Sequence, residues 1–124
     1  MNAWNIAPSL EHEVRARDRN CVYCGVAMLQ TVPRGQSRKV VATWEHIIND
    51  ARIVTRENIA LCCCACNASN GQKALVDWLQ SAYCLQRRIT EDTVAPIVRE
   101  ALTIARDAPN QAMERTADRR TLHF

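Results

Sequence analysis

NIALCCCACN, residues 58–67, places four of the chain's seven cysteines within five consecutive positions, Cys62 to Cys66. Which of them work as a pair decides the fold. Cys63 and Cys66 have the CxxC spacing, and the same spacing recurs at Cys21 and Cys24 in CVYCG, residues 21–25. Cys64 and Cys66 are too close to repeat it. Cys62 follows Leu61 in an apolar stretch and reads as a small hydrophobe. Each CxxC pair forms a knuckle that points two thiolates at one ion, and four thiolates at about 2.3 Å in a tetrahedron make a closed structural zinc site. Cys84 stands alone on an amphipathic segment and reads as core. An odd cysteine count argues against a disulfide framework and for metal ligation in a reducing compartment. No βαβ pattern surrounds either pair, which argues against a redox role.

Working outward, 124 residues imply one domain over 1–109 and a polar, flexible tail over 110–124. A chain this short buries a modest core, so a metal brace would help it fold. No apolar run approaches the roughly 18 residues of a membrane span, and MNAWNIAPSLEHEV lacks the features of a signal peptide. The expectation is a soluble, cytoplasmic protein with no membrane partner. The net charge of +3 says little alone, but residues 25–44 carry Arg34, Arg38 and Lys39 and no acid. Such a basic loop suits either a phosphate backbone or a solvated hairpin tip.

Periodicity predicts a helix over Ser9–Arg17 with Ser9 as cap, then strands near 26–32 and 39–48 joined by a Pro33–Gly35 turn. Residues 49–57 read as a loop. A helix begins near Cys64 and is interrupted at Gly71, and another spans 73–85. A last helix runs from about Thr93 to Asp107, with Val94, Ile97, Val98, Ala101, Leu102 and Ala105 in one apolar stripe. That stripe is explained most simply by packing on the 73–85 helix, and it also motivates an expectation of a homodimer.

Of the three histidines, His12 lies on a polar helix and His123 in the tail. His46 differs, because Glu45 precedes it in ATWEHIIND, residues 42–50. On a regular strand the two side chains point to opposite faces; a bulge or a strand end would bring both to one site. The zinc quartet would also bring Asn67, directly after Cys66, close to this strand.

Taken in order, CVYCG, WEHI and NIALCCCACN resemble the zinc-bearing form of the HNH endonuclease family over about residues 9–80. The resemblance implies an α+β chain with a small ββα-metal (treble-clef-like) core, stabilised by zinc on Cys21, Cys24, Cys63 and Cys66 and flanked by helices. It implies a DNA phosphodiester hydrolase leaving 5′-phosphate and 3′-hydroxyl ends. His46 would be the general base and Asn58 would tie the loop backbone that fixes it. Glu45 and Asn67 would hold a catalytic Mg²⁺ or Mn²⁺ through oxygen. Arg38, Lys39 and Lys73 would contact the DNA backbone. The family usually has aspartate where this chain has Glu45, and many members have lysine where it has Asn70. The alternative is a catalytically impaired zinc module that binds nucleic acid or a protein.

Overall fold

The computed structural model describes residues 2, 4–32, 34–35 and 37–107. Pro33 of the expected turn, His123 and the tail expected over 110–124 lie outside them. Among the described residues there are five helices and a two-stranded antiparallel sheet: α1 (Pro8–Arg17), β1 (Ala42–His46), β2 (Ile59–Cys63), α2 (Cys64–Asn70), α3 (Leu75–Trp78), α4 (Ala82–Arg87) and α5 (Pro96–Asp107). No described helix is long and apolar enough to cross a membrane.

β2 is the wall between two apolar clusters and is buried at every position. Ile59 and Leu61 meet Ile6 and Val14 on the α1 side. Ala60 and Cys62 join Trp78, Cys84, Val98 and Leu102 on the other. Burying each of the large aliphatic side chains contributes roughly 1.5–3 kcal/mol. The outer edge of β2 is satisfied as well: Leu61 N donates to Asp18 Oδ2 at 3.1 Å, Arg17 Nη2 donates to Ile59 O at 2.7 Å, and Val22 N donates to Leu61 O at 3.3 Å. An edge tied down in this way offers no free ladder for another strand.

β1 pairs with β2 in regular register from Ala42↔Cys63 to His46↔Ile59. This corrects the expected 26–32/39–48 hairpin. Residues 26–32 contribute only isolated bridges, Asn20↔Ala27 and a parallel Leu29↔Val41, and β1 takes its partner from beyond the loop. Three helix boundaries also differ. α1 starts at Pro8 after Ala7, so proline at the first turn replaces the expected Ser9 cap. The 73–85 helix is two short ones, because Ser81 adopts an extended backbone and its hydroxyl accepts from Cys84 N to begin α4. α5 begins at Pro96, while the Thr93 hydroxyl closes a turn onto Thr90 instead of capping the helix. Val98, Ala101 and Leu102 of the apolar stripe are buried with Trp78 and Cys84, so the face that motivated a homodimer packs within the chain.

Candidate metal centre and active site

Both CxxC pairs fold as knuckles. In the first, Cys21 N donates to Val26 O, Gly25 turns the chain with φ of 81°, and the amides of Tyr23 and Cys24 each donate to Cys21 Sγ at 3.4 Å. In the second, Cys63 ends β2 and caps α2, its sulfur accepting from Cys66 N at 3.4 Å. The four sulfurs lie within 4.8 Å of one another, and Cys24 Sγ is 3.8 Å from Cys63 Sγ. A tetrahedron with metal–sulfur bonds of about 2.3 Å has edges of about 3.8 Å, so the quartet has the size of a zinc site. Hydrogen bonds from Cys63 and Cys66 pull the Cys21 thiol down to about 2, and the same bonds hold the Cys63 and Cys66 thiols up. A dication held among the four sulfurs would favour the thiolate form of all of them. Tyr83 donates its hydroxyl to Cys66 Sγ at 3.3 Å and supports the site from outside. Cys62 and Cys84 are fully buried among apolar side chains.

A cavity of about 200 Å³ opens where the end of β1 meets α2, bordered by Glu45, His46, Asn67, Asn70, Lys73 and Trp4. Strand alternation sends Glu45 toward α2 and His46, with Trp44, toward the α1 side. Pairing is regular through His46, so no bulge joins them; both reach one cavity because His46 is the last residue of β1. Asn67 Nδ2 donates to Thr43 Oγ1 at 2.9 Å and to Trp44 O at 3.2 Å. Thr43 Oγ1 itself donates to Cys62 O, so the amide nitrogen must face the strand and Asn67 Oδ1 is left without a partner among the described residues. Glu45 Oε2 accepts from Tyr23 Oη at 2.7 Å and from Asn70 Nδ2 at 3.2 Å, and Oε1 is left unpartnered in the same way. Glu45 and Asn67, which both border the cavity, thus each keep an unpartnered side-chain oxygen, the donor chemistry of a hard cation such as Mg²⁺ or Mn²⁺.

No protein-family model, curated protein or solved structure matches the chain. What the cavity can do follows from its own groups. Burial pushes the Glu45 carboxyl up to about 7, against the hydrogen bond from Tyr23. Burial lowers His46, with Asp50 opposing, which keeps the imidazole neutral at pH 7. Its Nε2 is buried without a partner among the described residues, and the Trp4 indole lies against the ring at a tilt, with centroids 5.5 Å apart. Asn58 is buried behind the loop that follows His46: its Oδ1 accepts from Ile48 N at 2.6 Å, and its Nδ2 donates to Ile48 O and Ile53 O.

Of the expected site residues, Glu45, His46, Asn67 and Lys73 border the cavity, and Asn58 braces the loop beside it. Lys73 Nζ donates to Ser69 O. Arg38 and Lys39 are exposed on the turn leading into β1, outside the cavity lining. Asp50 is engaged by Arg52 through two guanidinium contacts and an amide. Sequence reasoning gave Tyr23 and Trp4 no role and noted Asn70 only as standing where many members of the resembled family have lysine. Only the placement of Tyr23 between two ligand cysteines hinted that its side chain has a fixed position.

Proposed function

We propose that this chain is a metal-dependent endonuclease of the HNH type that hydrolyses DNA phosphodiester bonds, with a ββα-metal core formed by β1, β2 and α2. The observation that carries this reading is the meeting of a neutral imidazole with two unpartnered side-chain oxygens around one cavity. Those oxygens, Glu45 Oε1 and Asn67 Oδ1, would hold Mg²⁺ or Mn²⁺. The ion there supplies Lewis-acid stabilisation of the phosphate and of the departing 3′ oxygen. His46 takes a proton from the attacking water; neutrality at working pH suits it to that task. The water oxygen bonds to phosphorus as the bond from phosphorus to the 3′ oxygen breaks, leaving a 5′-phosphate and a 3′-hydroxyl. Asn58 holds the Ile48 backbone two residues beyond the base and so limits its wander. Lys73, which borders the cavity, would meet a phosphate oxygen, and Arg38 and Lys39 would contact the DNA backbone outside it. Zinc on the two knuckles joins the elements that carry Tyr23 and Asn67.

The buried, hydrogen-bonded Glu45 also favours a second reading, a zinc module that binds nucleic acid or a protein without cutting. One assay separates them. Wild-type protein is expected to nick supercoiled plasmid with Mg²⁺ or Mn²⁺, and His46→Ala to lose at least a hundredfold in rate, the scale of a positioned base. Intact plasmid with wild type under both metals defeats the nuclease reading and leaves the module.

A further inference from the structure

We propose that Tyr23 and Asn70 are positioning residues for the catalytic cation: together they pin one oxygen of Glu45 so that the other faces the cavity as a ligand. This rests on the nuclease reading above. Both hydrogen bonds converge on Oε2, at 2.7 Å from Tyr23 and 3.2 Å from Asn70, while Oε1 has no partner among the described residues. All three side chains are buried, at 1 % exposure for Tyr23, 4 % for Asn70 and 8 % for Glu45. Water therefore competes poorly for the pinned oxygen, and the carboxylate has little freedom to turn.

The clamp is itself held. The Tyr23 ring packs edge-on against Trp78 with centroids 4.8 Å apart, and its amide donates to the sulfur of Cys21. The zinc knuckle fixes the tyrosine, and the tyrosine fixes the carboxylate. Asn70 closes α2 and reaches the same oxygen from the opposite partner element. An amide donates there without a positive charge that would repel a cation. The length of Glu45 also finds a reason. Its carboxylate lies where both donors reach it, whereas aspartate, one methylene shorter, would fall short of one or both.

The test uses the full, zinc-loaded chain and Mn²⁺ alone, titrated by the electron paramagnetic resonance signal of free Mn²⁺. Tyr23→Phe keeps the ring against Trp78 and should keep its zinc, yet bind Mn²⁺ about tenfold or more weakly, as loss of an outer-shell partner does. Asn70→Ala should weaken it in the same direction. Glu45→Asp should weaken binding too, although it restores the residue usual in the family the chain resembles. In a Glu45→Gln background, Tyr23→Phe should cost nothing further, which a merely structural tyrosine would not obey. Unchanged Mn²⁺ affinity in Tyr23→Phe, an equal loss in the Glu45→Gln background, or tighter binding by Glu45→Asp overturns the clamp alone. Wild-type protein that binds no Mn²⁺ in a Glu45-dependent way overturns both the clamp and the nuclease reading.

Discussion

Glu45 and His46 respond to burial in opposite senses: the raised carboxyl would move cation binding to higher pH, whereas the lowered imidazole is a neutral base from a lower pH. Burial raises the carboxyl from its usual 4.5 to about 7 and lowers the imidazole from its usual 6.5. A cation held by Glu45 would compete with the proton for its carboxylate, so on the proposed reading Mn²⁺ affinity should climb roughly tenfold per pH unit below about 7 and level off above it. Titrations between pH 5.5 and 8 check this, and Glu45→Gln should flatten the curve. Stability follows the same shifts with signs of its own. Without the cation, the Glu45 contribution is present below about 4.5 and is lost as pH rises toward 7. The His46 contribution is present above 6.5 and is lost as pH falls through the lowered value. At this scale the sequence displayed the ligand cysteines, because CxxC spacing is a local property. The contacts of Tyr23 and Asn70 with Glu45 escaped notice because their partner lies 22 and 25 positions away, and no local pattern encodes such a contact.

Among the elements, Ser81 decides how the segment after α2 is divided. Its extended backbone separates α3 from α4, and its hydroxyl accepts from Cys84 N. Ser81→Ala removes the cap and should destabilise the protein by about 1 kcal/mol in chemical denaturation, whereas Ser81→Asp, which can still cap, should cost less. The apolar spacing of Leu75, Trp78, Leu79 and Ala82 runs across the break unchanged, which is why periodicity predicts one helix there. β2 was hidden for a different reason. Its run is apolar at every position because both faces are covered, and without alternation such a run does not declare itself as a strand. α2 was legible from its chain signals, since Gly71, with φ of 55°, stops it directly after Asn70.

For the molecule as a whole, the four-cysteine cluster is the joint between residues far apart in sequence, and it could hold an ion such as zinc. Structural zinc sites in small domains contribute on the order of 10 kcal/mol, comparable to the entire stability of a typical domain at roughly 5–15 kcal/mol. Chelation, or Cys63→Ser, should therefore abolish cooperative unfolding and the circular-dichroism signature of the fold. Restoring Zn²⁺ to the chelated wild type should recover both. Cys62→Ser and Cys84→Ser should retain one zinc per chain, since neither sulfur belongs to the quartet. Three of the four ligand residues are buried and Cys24 alone is exposed. Exchange of an ion held there with the surroundings would begin at that corner. A bulky chelator would then have one direction of approach, the side of Cys24.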